Sequence, residues 1–87
     1  MDLMDRNQIQ IQIFKIFSEQ FEIEDPGLDD DLRDVYGFDS IDAIELLNEI
    51  EILLESVLTR DEKKEAMEIR TINNILDYIE GLAKTRS

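Results

Sequence analysis

Ser40 stands in the string Tyr36-Gly37-Phe38-Asp39-Ser40-Ile41-Asp42-Ala43-Ile44-Glu45-Leu46, where a hydroxyl, two carboxylates and a glycine fall just ahead of an apolar helical stripe. A helix that starts here has two candidate caps. With Ser40 as the cap, the third helical position is Ala43, which cannot return a hydrogen bond. With Asp39 as the cap it is Asp42, which resembles a reciprocal capping box and suits the positive helix terminus. The second choice leaves the Ser40 hydroxyl uncommitted, on the first helical residue and facing solvent. Gly37 lets the chain turn tightly just before it. A phosphate ester on Ser40 would then sit beside backbone N–H groups at a helix N-terminus, where negative charge is tolerated. An Asp-Ser pair ahead of a helix is otherwise ordinary capping chemistry, so the pair alone does not decide a function.

Other chemistry is scarce. The 87 residues contain no Cys and no His. That removes the thiol nucleophile, the commonest general base and the commonest metal ligand. A self-contained enzyme is hard to build from what remains, and the expectation is a protein without catalytic residues. A calcium loop in the acidic stretch also fails: counted from Asp29, the sixth position is Asp34 instead of Gly and the twelfth is Ser40 instead of Glu. No metal site is expected.

The charge balance, 22 acidic residues against 9 basic ones and a net −13, disfavours nucleic acid, whose phosphates need Lys and Arg. It equally disfavours anionic lipid surfaces. Such a field steers a protein toward basic partner surfaces. The first residues, Met1-Asp2-Leu3-Met4-Asp5, lack the positive and apolar regions of a signal peptide. No apolar run approaches a membrane span. A cytoplasmic monomer without membrane insertion is the expectation.

The elements that would position Ser40 follow from periodicity. Between residues 8 and 13 Gln and Ile alternate, a strand-like pattern. The wider window, about residues 5–20, places Ile9, Ile13, Ile16, Phe17 and Phe21 on one helical face with Asp5 as cap. A lone strand would have no partner to pair with, so a helix is predicted. Pro26-Gly27 and Gly37 bracket an acidic stretch, residues 24–34, that reads as a loop. From Asp39 or Ser40 to about Val57, the apolar residues Leu46, Leu47, Ile50, Leu53, Leu54 and Val57 make a wide helical stripe. Residues 60–68 form a brief helix or turn, with Ala66, Met67 and Ile69 as apolar contacts. Thr71 caps a last helix, about residues 72–83, that buries Ile72, Ile75, Leu76 and Ile79, with Leu82 extending the stripe and Tyr78 at its edge. The fold class is all-α: a small irregular four-helix bundle of three longer helices and one short one, with residues 1–87 as a single domain. The 43% hydrophobic content suffices for one core.

In this setting Gly37-Phe38-Asp39-Ser40-Ile41-Asp42 resembles the phosphopantetheine attachment motif of acyl carrier proteins. Glu45-Leu46 looks like the acidic and core pair one turn into that family's second helix. Residues 66–79, ending Asn73-Asn74-Ile75-Leu76-Asp77-Tyr78-Ile79, resemble its third helix and the start of its fourth. The likeness covers nearly the whole chain. It implies a small acidic bundle with a 4′-phosphopantetheine arm on Ser40 and Asp39 as the helix cap beside it. The arm would be installed from coenzyme A by a phosphopantetheinyl transferase and would hold acyl groups as thioesters. Partner enzymes of fatty-acid, lipid or polyketide-type biosynthesis, with basic docking surfaces, would act on that cargo. With the stripe from Leu46 to Val57 buried, Ile41, Asp42, Ile44, Glu45 and Asn48 point outward near Ser40. By position, Asp39, Asp42, Glu45 and Glu51 are candidates for contacts to basic partners; the alternative is that these acids are a solvated face.

The chain departs from the family pattern in places. Ile41 replaces the usual leucine after the serine. Asn48 and Ile52 stand where housekeeping carriers tend to have an apolar and an acidic residue. Residues 55–65 form a longer stretch that carries Arg60, Lys63 and Lys64. These features point to a specialised member with its own partner set. Two competing readings remain at this level. One is an aminoacyl or peptidyl carrier, which usually has Gly-Gly where Phe38 and Asp39 stand here. The other is an acidic helical adaptor that carries no arm.

Overall fold

A computed structural model describes residues 5–86, with the side chain of residue 86 left out. The first four residues, on which the reading of the N-terminus rests, lie outside the described residues. The described chain forms five helices and no strand: α1 (Arg6–Phe21), α2 (Leu32–Tyr36), α3 (Ser40–Leu54), α4 (Arg60–Ala66) and α5 (Ile72–Arg86).

The alternating stretch of α1 is helical because its capping and its buried face agree on that period. The Asp5 carboxylate accepts from the Gln8 N–H at 2.9 Å, and Gln8 Oε1 accepts from the Asp5 N–H. Ile9, Ile13 and Phe17 are completely buried, while Ile11, apolar by type, is 65% exposed. Ile16 and Phe21 pack at the edge of the core.

Three expectations need correction. The acidic stretch is not all loop, since its end forms the five-residue α2, making two short helices where one was expected. Asp31 caps α2 through the N–H groups of Arg33 and Asp34, and Leu32 is its single core anchor. Val57, placed on the buried stripe of α3, is instead 78% exposed, and Leu58 is buried. The reason is local. The helix ends at Leu54, and Glu55 takes a left-handed conformation (φ 52°) that turns the chain out of the helical period. Met67, expected among the apolar contacts of α4, is also exposed; Ala66 is buried there and Ile69 is half-buried.

The core joins α1 to Leu46, Leu47 and Ile50 of α3, Leu58, Ala66 and the α5 residues Ile72, Ile75, Leu76, Ile79 and Leu82. The predicted stripe of α5 is therefore buried as expected, with Tyr78 half-buried at its edge. The Tyr78 hydroxyl donates to the Glu62 carbonyl and ties α4 to α5. No polar or charged side chain is buried among the described residues.

The loop between α1 and α2 is shaped around Tyr36. Its hydroxyl donates to Asp30 Oδ2 at 2.9 Å and accepts from the Gly27 N–H at 3.1 Å. A Cβ at Gly27 would lie 2.4 Å from Asp30 Oδ2, so a larger residue would push that carboxylate away from its bond with the Tyr36 hydroxyl. The loop is stitched to the start of α5 by Asn73, which donates its backbone N–H to the Leu28 carbonyl and its side-chain amide to Asp29.

Next to this stitch, Arg6 of α1 bridges Asp77 and Glu80 of α5 and also donates to the side-chain oxygen of Asn73. The hydrogen bonds to Asp77 and then Glu80 raise the guanidinium above its already high value. A raised basic group contributes fully below its unfolded-state value and is lost only as pH climbs through the folded one. The Arg6 side of this clamp therefore persists across the whole working range of pH.

The net charge of −13 opposes compaction through self-repulsion. Salt screens such repulsion, with a Debye length of about 10 Å at 0.1 M. Raising sodium chloride from roughly 10 to 300 mM should therefore lift the melting temperature by about 5 °C, the equivalent of ~1 kcal/mol in a domain this size. Calorimetry at the two concentrations checks this; a lower melting temperature in salt would mean that the Arg6 pairs outweigh the repulsion.

Candidate functional site

The approach to Ser40 is fastened from both sides. Gly37 closes α2 in the left-handed conformation (φ 70°), its N–H donating to the carbonyls of Arg33 and Leu32. The Phe38 N–H donates to the Leu32 carbonyl at 3.1 Å. The Phe38 ring stacks on Phe17 with centroids 5.5 Å apart and meets Phe21 edge-on at 5.4 Å; Phe17 and Phe21 are themselves 5.3 Å apart. Three mutually touching rings thus hold the residue before Asp39 against α1.

Asp39 is the cap of α3, as expected. Its Oδ1 accepts from the N–H groups of Ile41 (3.0 Å) and Asp42 (3.1 Å), and Asp42 Oδ2 accepts from the Asp39 N–H (3.2 Å). Ser40 is the first residue of the helix and is exposed. Among the described residues neither its hydroxyl nor its N–H has a hydrogen-bond partner. The cap consumes the next two N–H groups, so the Ser40 N–H is the nearest donor left for an anion on the hydroxyl. A hydroxyl in this state accepts a phosphate ester with nothing to displace, and the site fits such a group.

Ile41 (70%) and Ile44 (60%) are exposed, as are Glu45 and Asn48. Two acids differ from expectation. Asp42 is half-buried and does not simply face outward, because the capping box holds its carboxylate. Glu51 is half-buried too, and its Oε2 accepts from the Leu58 N–H at 2.8 Å, so it braces the turn after α3.

Beside Ser40 lies a cleft of about 120 Å³ that periodicity did not reveal. Its apolar lining comes from Leu32, Phe38, Leu46, Leu47, Ala66 and Ile69, and Asp39 and Ser40 line it as well. These residues belong to α2 with the link that follows it, to α3, and to the end of α4 with the segment after it. No periodic pattern in one stretch could have announced a site shared among three.

A family model described as phosphopantetheine attachment site matches residues 12–79, a span containing α2, α3, α4 and the whole surroundings of Ser40. No curated protein and no solved structure matches the chain. The chain therefore belongs to the phosphopantetheine attachment site family: it is a carrier domain of the kind that holds 4′-phosphopantetheine covalently, receives it from a phosphopantetheinyl transferase and delivers its cargo to partner enzymes.

Proposed function

We propose that residues 1–87 are a single acyl carrier domain and that Ser40 is its attachment residue. The observation that carries this reading is the exposed, unpartnered Ser40 hydroxyl at a capped helix start, beside an apolar cleft. In the modification, Ser40 Oγ attacks the pyrophosphate linkage of coenzyme A. The phosphodiester bond forms at Oγ and adenosine bisphosphate leaves. The arm, once bound, supplies a terminal thiol that holds an acyl group as a thioester. The chain's own contribution is positional. Asp39 orients the helix start, the Phe17–Phe21–Phe38 cluster anchors it, and Ile41, Ile44, Glu45 and Asn48 offer a docking face. Tethering raises the cargo's effective concentration at each docked enzyme.

The apolar lining of the cleft supports an acyl cargo over an aminoacyl one, since an alkyl chain gains by leaving water and a charged amine does not. Phe38 and Asp39 ahead of the serine support the same choice. A cytoplasmic setting, a monomeric state and a specialised pathway of fatty-acid, lipid or polyketide type complete the proposal. Asn48 and Ile52 on α3 support the specialised partner set.

Incubation with coenzyme A and a promiscuous transferase should add the mass of one phosphopantetheine to the intact protein. Ser40→Ala should add none while keeping its helical circular dichroism. An unmodified wild type, or a modified Ser40→Ala, would remove the reading. Efficient loading by amino-acid-adenylating enzymes, with none by acyl-activating ones, would turn it to a peptidyl carrier.

A further inference from the structure

Two of the nine basic residues, Arg33 of α2 and Arg70 just before α5, line the same cleft as Ser40. Both are exposed, and in a chain with 22 acids neither guanidinium is paired with a carboxylate among the described residues. Arg6 shows what an engaged arginine looks like here, with two carboxylates and an amide on one guanidinium. The two acids that line the cleft with them are already occupied: Asp31 caps α2 and Asp39 caps α3 through their Oδ1 atoms. The two arginines are also held in register with one another, because the Leu32 N–H donates to the Arg70 carbonyl at 2.9 Å.

We propose that Arg33 and Arg70 bind the phosphodiester through which the arm is joined to Ser40, and so set the direction in which the arm leaves the helix. The inference rests on Ser40 being the attachment residue. The phosphodiester on Oγ carries one negative charge and enters a neighbourhood already holding Asp31, Asp39 and Asp42. Like charges at such range repel, and the helix terminus offers only the Ser40 N–H, since Asp39 has taken the next two. Guanidinium groups on long side chains, at the cleft that Ser40 also lines, supply the missing counter-charge by charge-assisted hydrogen bonds to phosphate oxygens. Fixing the phosphate beside the cleft starts the arm along its apolar lining; an unpinned phosphate would leave the arm free over the α3 face.

The test compares apo and holo protein, with intact mass confirming full modification. Side-chain Nε–H resonances of Arg33 and Arg70 should shift on modification, while that of Arg60, in α4, stays in place. Modification should raise the melting temperature of the wild type relative to that of Arg33→Gln/Arg70→Gln, the gap between the two increments being roughly 3 °C and shrinking with added salt. Arg33→Lys/Arg70→Lys should retain part of the increment. Unmoved arginine resonances with equal increments in wild type and Gln variant overturn the proposal while leaving Ser40 as the attachment residue. Absence of any added mass overturns the attachment and this inference together. A shift that arises only after acylation assigns the arginines to the cargo and also overturns it.

Discussion

Phe17→Ala should cost about 3–5 kcal/mol of folding free energy and leave much of the protein unfolded at low ionic strength. Phe17 is fully buried and touches the rings of both Phe21 and Phe38. Its removal forfeits apolar burial, opens a cavity that two aromatic neighbours cannot fill, and breaks both ring contacts. A chain of this length has a total stability on the order of 4–13 kcal/mol, and the net charge of −13 works against it. Phe17→Leu, which keeps most of the volume, should be far milder. Urea titrations followed by circular dichroism measure both variants. A loss below about 1.5 kcal/mol for the alanine would show that the cluster repacks around the gap and is not the anchor of the α3 start. Because Phe38 is the residue before the cap, the folded fraction of Phe17→Ala should also be modified more slowly at Ser40.

The second large effect concerns recognition. Ile44→Ala/Glu45→Lys should lower the transferase's kcat/KM for the apo protein about tenfold or more in low salt, chiefly through KM. Both side chains are exposed and neither takes part in capping, so the fold should be unaffected. Removing Ile44 deletes an apolar contact one turn from Ser40, and reversing Glu45 puts a like charge against a basic partner. The deficit should narrow as salt rises. Unchanged kinetics across salt concentrations would mean that this stretch of α3 is a solvated face. Asp42 and Glu51 are poorer probes, because each carboxylate is committed to a backbone N–H and its removal would disturb the helix ends.

What was legible in the sequence was what local chemistry decides. Asp39 could be chosen over Ser40 as the cap by asking which residue three positions on can return a hydrogen bond, and the reciprocal pair is there. The Gln-Ile alternation in α1 yielded to the longer period because three buried positions outweigh a six-residue pattern. Other features had no such signal. α2 rests on one buried leucine, and a single anchor makes no period. The shift from Val57 to Leu58 follows from a left-handed Glu55, where a glycine would have marked the turn and a glutamate does not. The cleft, with Arg33 and Arg70 on it, is assembled by tertiary contacts alone.

The helices of this protein are secured unequally at their two ends. α1, α3 and α4 each begin with a reciprocal box, whereas α1 and α3 each finish on a glutamate in the left-handed region with no basic residue in the last turn. A negative side chain at that end opposes the helix dipole, and a non-glycine residue there is strained. Thermal unravelling of α3 is therefore expected to start at its tail rather than at its boxed head. If Ser40 roots the swinging group as proposed, the arm's pivot sits at the better-secured end of that helix, away from the end where loosening would begin.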